Sequence, residues 1–246
     1  MKIETALYLI PVGISDGPVA DVIPQANIDI IRQIHYFIVE NVRTARRFLK
    51  KVDKDIDISA ITFFELNGHT DPMAVSSYLD PLREGNPVGI MSEAGCPGIA
   101  DPGALAVRQA QHKSLRVIPL VGPSSILLAL MASGLNGQNF AFHGYLPVEN
   151  TEREQKLREL ENQSSRNGMT QIFIETPYRN ARMAESLFKT LKPDTLLCIA
   201  ENITDPFNER IVTKTIREWR VSKFETGKVP AIFLFYCLNP KKELKI

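Results

Sequence analysis

Residues 92–103 read SEAGCPGIADPG, with three glycines and two prolines in twelve positions. They follow the apolar run Pro87-Val88-Gly89-Ile90-Met91, which reads as a buried strand. A loop of small residues at the carboxyl end of a parallel strand is where open α/β sheets bind ligands. Glycine allows close backbone approach and positive φ, and proline stiffens the turn. A second loop of the same character, residues 119–125 (PLVGPSS), follows Arg116-Val117-Ile118. Two such loops predict one cleft.

The rest of the chain alternates in the way that this placement requires. Strands are expected at 6–10, 36–39, 61–66, 88–91 and 115–120. Helices are expected at 25–34, where Ile28, Ile31 and Ile34 recur at helical spacing, and at 43–52, 72–84 and 103–113. Residues 12–24 read as a loop. Strands alternating with helices predict a parallel, doubly wound sheet. After Pro123 the pattern restarts with an apolar helix at 124–133, ended by Gly134 and Gly137. Further strands are expected from 140, at 171–174, 195–200, 210–213 and 231–236. Helices at 151–161, 180–191 and 216–221 accompany them, with a polar loop at 163–168. Strands joined without a long helix predict a mixed second sheet. The expected domains are 1–121 and 122–240, with the ligand cleft between them and a frayed tail at 241–246.

With 29 Lys and Arg against 28 Asp and Glu, the net charge is +1, so no global field draws the chain to nucleic acid. An RNA role needs a local patch. Arg43, Arg46, Arg47, Lys50 and Lys51 form the most basic run, and the first four share one helical face. A solvated helix face gives the same pattern. Cys96, Cys198 and Cys237 are far apart and form no CxxC pair, which speaks against zinc and a disulfide framework and for a reduced, cytoplasmic compartment. The apolar stretch near the first residue is too short for a signal peptide, and no run nears the roughly 20 residues of a membrane span.

Five motifs in order then resemble one family: Pro11-Val12-Gly13-Ile14-Ser15-Asp16, Glu40-Asn41-Val42-Arg43, residues 92–103, Val121-Gly122-Pro123-Ser124-Ser125, and Gly144-Tyr145-Leu146-Pro147. In that order and spacing the chain resembles the tetrapyrrole (corrin/porphyrin) methylases, and within them the bacterial 16S rRNA cytidine 2′-O-methyltransferase branch. The likeness covers nearly the whole chain. Four departures stand out. Ser15-Asp16 replaces Gly-Asn, Asn41-Val42 replaces Asp-Thr, and Glu93 replaces Asp. Residues 226–231 (TGKVPA) replace a KGE-like turn.

The resemblance implies a two-domain α/β fold, with a parallel N-terminal sheet and a mixed C-terminal one. It implies methyl transfer from S-adenosylmethionine, with a ribose 2′-hydroxyl of small-subunit ribosomal RNA as the favoured acceptor and a homodimer as the assembly. A corrin or porphyrin precursor is the alternative substrate, and a non-catalytic paralogue holding cofactor or RNA is the third reading. The implied cofactor residues are Pro11, Gly13, Gly95, Cys96, Ile99, Ser124, Ser125, Glu175, Pro230 and Ala231. Ser124 and Ser125 equally suit a helix cap. Glu40, Arg43 and His69 are the candidate catalytic groups, all just past expected strands. Glu40 positions substrate or accepts a proton, Arg43 takes a phosphate, and His69 serves as acid, base or stacking group. The first two also suit an ordinary cap and ion pair, and a loop histidine is commonly just exposed. No metal is expected.

Overall fold

The computed structural model describes residues 3–222 and 225–237, so the expected fraying of 241–246 lies outside the described residues. The chain divides into two units, 1–124 and 125–246.

The first unit runs β1 (Leu7–Leu9), α1 (Val19–Val22), α2 (Gln25–Ile31), β2 (Tyr36–Val39), α3 (Val42–Val52) and β3 (Thr62–Glu65), then α4 (Asp80–Arg83), β4 (Val88–Met91), α5 (Gly103–His112) and β5 (Val117–Pro119). Its strands form a parallel sheet in the order β3-β2-β4-β1-β5. All four residues of β4 are buried, as a central strand covered on both faces demands. One apolar cluster packs Ile10, Phe37 and Leu49 on one face, and another packs Ile38, Leu79, Ile90 and Ala106 on the other. The chain leaves β2 outward to β3 but leaves neighbouring β4 the opposite way to β5. Those diverging connections open a crevice at the carboxyl ends of β2 and β4, where open sheets take ligands.

Two local expectations fail here. The helix expected over 72–84 is a 3-10 helix (Ala74–Leu79) followed by the short α4. Pro81 has no N–H to donate and crowds the preceding turn, so the ladder restarts with Pro81 in its first turn. The loop expected over 12–24 also contains α1, one turn long.

The second unit runs α6 (Ser125–Ser133), β6 (Phe140–Tyr145), α7 (Asn150–Asn167), β7 (Thr170–Glu175), α8 (Asn180–Thr190), β8 (Leu196–Glu201), β9 (Arg210–Thr215), α9 (Ile216–Val221) and β10 (Ala231–Tyr236). The sheet order is β6-β7-β10-β8-β9, with only β6 and β7 parallel, so the sheet is mixed. Phe173 and Phe233 stack at 5.7 Å in its core, and the Trp219 indole N–H donates to Leu197 O at 2.8 Å. Residues 163–167 continue α7 rather than forming a loop. Buried Ser164 accepts the Cys237 N–H at 2.9 Å, and that tertiary bond overrides the weak helix propensity of the polar run. Gly168, at φ +64°, ends the helix by donating to Ser164 O.

Candidate functional site

The loops that leave β1, β4 and β5 pack against one another. The Val12 N–H donates to Gly95 O at 2.9 Å, and the Cys96 thiol donates to Pro123 O at 3.4 Å. A Cβ on Gly122 would lie 2.2 Å from Pro11 Cβ, so only glycine fits against that proline. The two small-residue loops therefore meet within the first unit.

Asp101 organises the 92–103 loop from inside. Its carboxylate accepts the Gly98 N–H at 2.7 Å and the Gly103 N–H at 2.6 Å. A Cβ on Gly103 would sit 2.7 Å from Asp101 Oδ1 and 3.0 Å from Ile90 Cδ1. Asp101-Pro102-Gly103 is thus a packing unit that fixes the start of α5. Gly95 adopts φ +71°, and a Cβ there would meet only Pro123 O at 3.5 Å and Ile14 at 4.0 Å. Cys96 has its thiol pushed up from the usual range by burial, so it stays neutral and serves as a small donor. Ile99 is exposed on the loop.

Glu40 follows β2 at the crevice. Burial pushes its carboxyl above the ordinary carboxylate range, the charges of Asp101 and Glu93 push it further, and a hydrogen bond from the Glu93 backbone opposes them. Across the crevice, the Thr44 hydroxyl donates to Glu93 Oε1 at 2.5 Å, tying α3 to the β4 loop. Glu93 and Asp101 stand outside the set expected from sequence. Their acidity and position past a strand were visible, but their approach to Glu40 depends on strand order.

The structure rejects the plain cap and ion pair for Glu40 and Arg43. The cap is Asn41, whose Oδ1 accepts the Arg43 N–H at 2.9 Å and the Thr44 N–H at 3.4 Å. Replacement of aspartate by Asn41 thus keeps the helix start intact. Among the described residues, no carboxylate pairs with Arg43 or Arg47, and both are exposed on α3. Their neighbours are engaged. Arg46 stacks 5.5 Å over Phe63, Lys50 Nζ donates to Lys54 O, and Lys51 pairs with Asp16 at 3.2 Å. His69 lies exposed past β3, its N–H held by Asn67 Oδ1 at 2.9 Å. No hydrogen bond or ion pair joins His69 to Glu40 or Arg43.

In the second unit, Ala231 begins the central strand β10, facing Glu175 at the end of β7 on one side and Glu201 at the end of β8 on the other. The Glu175 side chain is engaged through one oxygen: Oε1 takes Arg179 Nη2 at 2.7 Å and the Thr176 N–H at 2.7 Å. Pro230 O accepts the Asn202 N–H at 3.0 Å. Ser125 opens α6, immediately after Ser124. His143 is engaged by Gln171 at 2.6 Å. Among the described residues, no group of three metal-ligating side chains converges, and no helix is long and apolar enough to cross a membrane.

The sequence pattern of the tetrapyrrole (corrin/porphyrin) methylases matches residues 6–219. The chain belongs to that family. It is 31% identical over 201 residues to the ribosomal RNA small subunit methyltransferase I of Vibrio cholerae serotype O1, covering 82% of this chain and 66% of that protein. It is 32% identical over 160 residues to the protein of the same name from Haemophilus influenzae, covering 64% of this chain and 55% of that protein. The matched stretches thus span between about half and two thirds of these relatives' length. Among solved structures, the methyltransferase CobJ superposes with a TM-score of 0.61 at 17% identity, over 96% of this chain and 97% of that one. That likeness establishes the methylase fold.

Proposed function

We propose that the protein transfers a methyl group from S-adenosylmethionine to a ribose 2′-hydroxyl of small-subunit ribosomal RNA. The observation that carries this reading is the half-buried Glu40 carboxyl, its pKa raised, next to Arg43 and Arg47 on α3, which have no carboxylate partner among the described residues. A hydroxyl acceptor needs a group that takes its proton, and an RNA acceptor needs cations for its phosphates. An electron-rich carbon acceptor on a tetrapyrrole asks much less of a base. The names of the relatives support the same choice.

The residues present fit the cofactor. Gly95 bares its backbone at positive φ, where a Cβ would already touch Pro123 O at 3.5 Å, and Ile99 is exposed on the same loop. S-adenosylmethionine supplies a methyl group already activated on a sulfonium. The chain's part is to align the acceptor and exclude water. Gly95, Cys96 and Ile99 line the cofactor in this reading, with Pro11, Gly13, Ser124, Ser125 and the strand-end residues Glu175, Pro230 and Ala231. Glu40 takes the acceptor proton and Arg43 holds a substrate phosphate. His69 is a stacking contact at the substrate edge. We place the protein in the cytoplasm as a homodimer, in line with its free cysteines and its family.

The deciding experiment offers labelled S-adenosylmethionine and small ribosomal subunits from cells that lack this protein. Label on a ribose 2′-oxygen is the expected result. Intact cofactor binding with no label on RNA overturns the reading in favour of a tetrapyrrole substrate or a silent paralogue. Arg43→Ala is expected to weaken RNA binding severalfold, to lower its salt dependence by about one counterion, and to spare cofactor affinity. Filter binding across several salt concentrations checks this. Equal affinities at each salt would take Arg43 off the RNA face.

A further inference from the structure

A cavity of about 400 Å³ lies in the first unit between the loop after β1 and helix α3. Of the residues assigned to the cofactor, only Gly13 lines it; Gly95, Cys96 and Ile99 do not. Its walls divide by chemistry. Val12, Val22, Phe48 and Met91 give an apolar lining, while Thr44 and Glu93 come from the crevice and Arg47 and Lys51 from α3. A second hollow shares Asp16, Gly17, Val19 and Lys51 with the first and carries Lys50 and Lys54. The two hollows adjoin at these shared residues, with apolar walls in the first and three lysines around the second.

We infer that these hollows hold one unstacked nucleotide of the RNA substrate, with its base in the apolar pocket and the adjoining phosphates along Lys50, Lys51 and Lys54. This rests on the RNA reading above and assigns it a place. A nucleobase is flat and apolar on its faces, with hydrogen-bonding groups at its edge, and proteins read RNA chiefly by splaying such bases out of single strands. Val22, Phe48 and Met91 suit the faces. The Glu93 carboxylate accepts hydrogen bonds and so favours a base edge that donates, such as an exocyclic amine. Arg47 has no carboxylate partner among the described residues and is placed for a phosphate. Lys51 and Asp16, paired at 3.2 Å and both exposed, sit where the hollows join, so RNA phosphate would compete with Asp16 for that lysine.

Val22→Trp tests the pocket, since Val22 is half-exposed on a one-turn helix and an indole there fills the cavity. Binding of a fluorescent single-stranded RNA and calorimetric binding of S-adenosylmethionine are measured on the same preparations. RNA affinity is expected to fall at least tenfold, with cofactor affinity unchanged. Unchanged RNA affinity overturns the inference. A parallel loss of cofactor affinity does so too, by giving the cavity to the cofactor. Should Val22→Trp not fold, Arg47→Glu, an exposed charge reversal, is measured the same way with the same expectations. The two readings fail separately. Unmodified protein that binds RNA without methylating it sinks the proposed activity alone. Unmodified protein that methylates ribosomal subunits, with a filled cavity that still binds RNA fully, sinks the placement in these hollows alone.

Discussion

Gly95→Val is expected to abolish S-adenosylmethionine binding while leaving a folded protein. Two effects add. Gly95 sits at φ +71°, where an L residue pays roughly 1–2 kcal/mol, and a β-branched one is worse placed still. The new side chain, its Cβ already in contact with Pro123 O at 3.5 Å, also takes space that the cofactor occupies in the proposed function. Gly85 separates the two effects. It has φ +85° with nothing within 4 Å of its Cβ position, and it precedes β4, at the opposite sheet edge from Gly95. Gly85→Val should therefore lose about as much stability through strain alone and keep full cofactor affinity. Denaturant unfolding and titration calorimetry on both variants decide the matter. Cofactor affinity in Gly95→Val equal to that in Gly85→Val would move the cofactor away from the 92–103 loop.

That contrast also marks how far the sequence could be read. The role of residues 92–103 as a strand-end loop was legible because its glycines and prolines follow an apolar run, and alternation then fixed the parallel sheet around it. The helix was expected from Arg43 with Glu40 and Arg43 as its cap, whereas it starts at Val42 and Asn41, a residue type that favours that position, caps it. Other features depend on partners distant in sequence. Asp101 reads as one more acid, yet it holds the loop by accepting the Gly98 and Gly103 N–H groups. Glu175 was expected at a strand end and stands there, but its Oε1 is held by Arg179, four residues on, because a 3-10 turn (Pro177–Arg179) brings the guanidinium back. Helical spacing put four basic residues on one face of α3, but it could not show that Arg46 is spent on Phe63 while Arg43 and Arg47 meet no carboxylate among the described residues. The break at Pro81 was the most avoidable miss, since a proline inside a helical pattern argues against continuity whatever the apolar spacing.

Glu40→Gln is expected to lower the methyl-transfer rate by about a hundredfold or more, the usual worth of a positioned base. It should at the same time stabilise the fold at neutral pH. Both effects come from one cause: burial, with the nearby Asp101 and Glu93, holds a proton on Glu40 more tightly than in the unfolded chain. Below the unfolded-state pKa the carboxyl is neutral in both states and costs nothing. As pH rises from that value to the raised folded-state value, the unfolded chain ionises first and the fold loses stability, which stays lost above. Glutamine never ionises, so the variant escapes that loss, and its stability advantage should vanish in acid. The same raised pKa sets the rate profile. Glu40 accepts a proton only when ionised, so the rate of the unmodified protein should climb through a pKa above the ordinary carboxylate range and level off beyond it. Glu40→Gln should lose that acid limb along with the rate. A variant as active as the parent, or one with the limb unmoved, would relieve Glu40 of the proton. The carboxylate would then be one whose repulsion the fold tolerates for some other end, and Glu93, held by Thr44 across the same crevice, would be the next group to test.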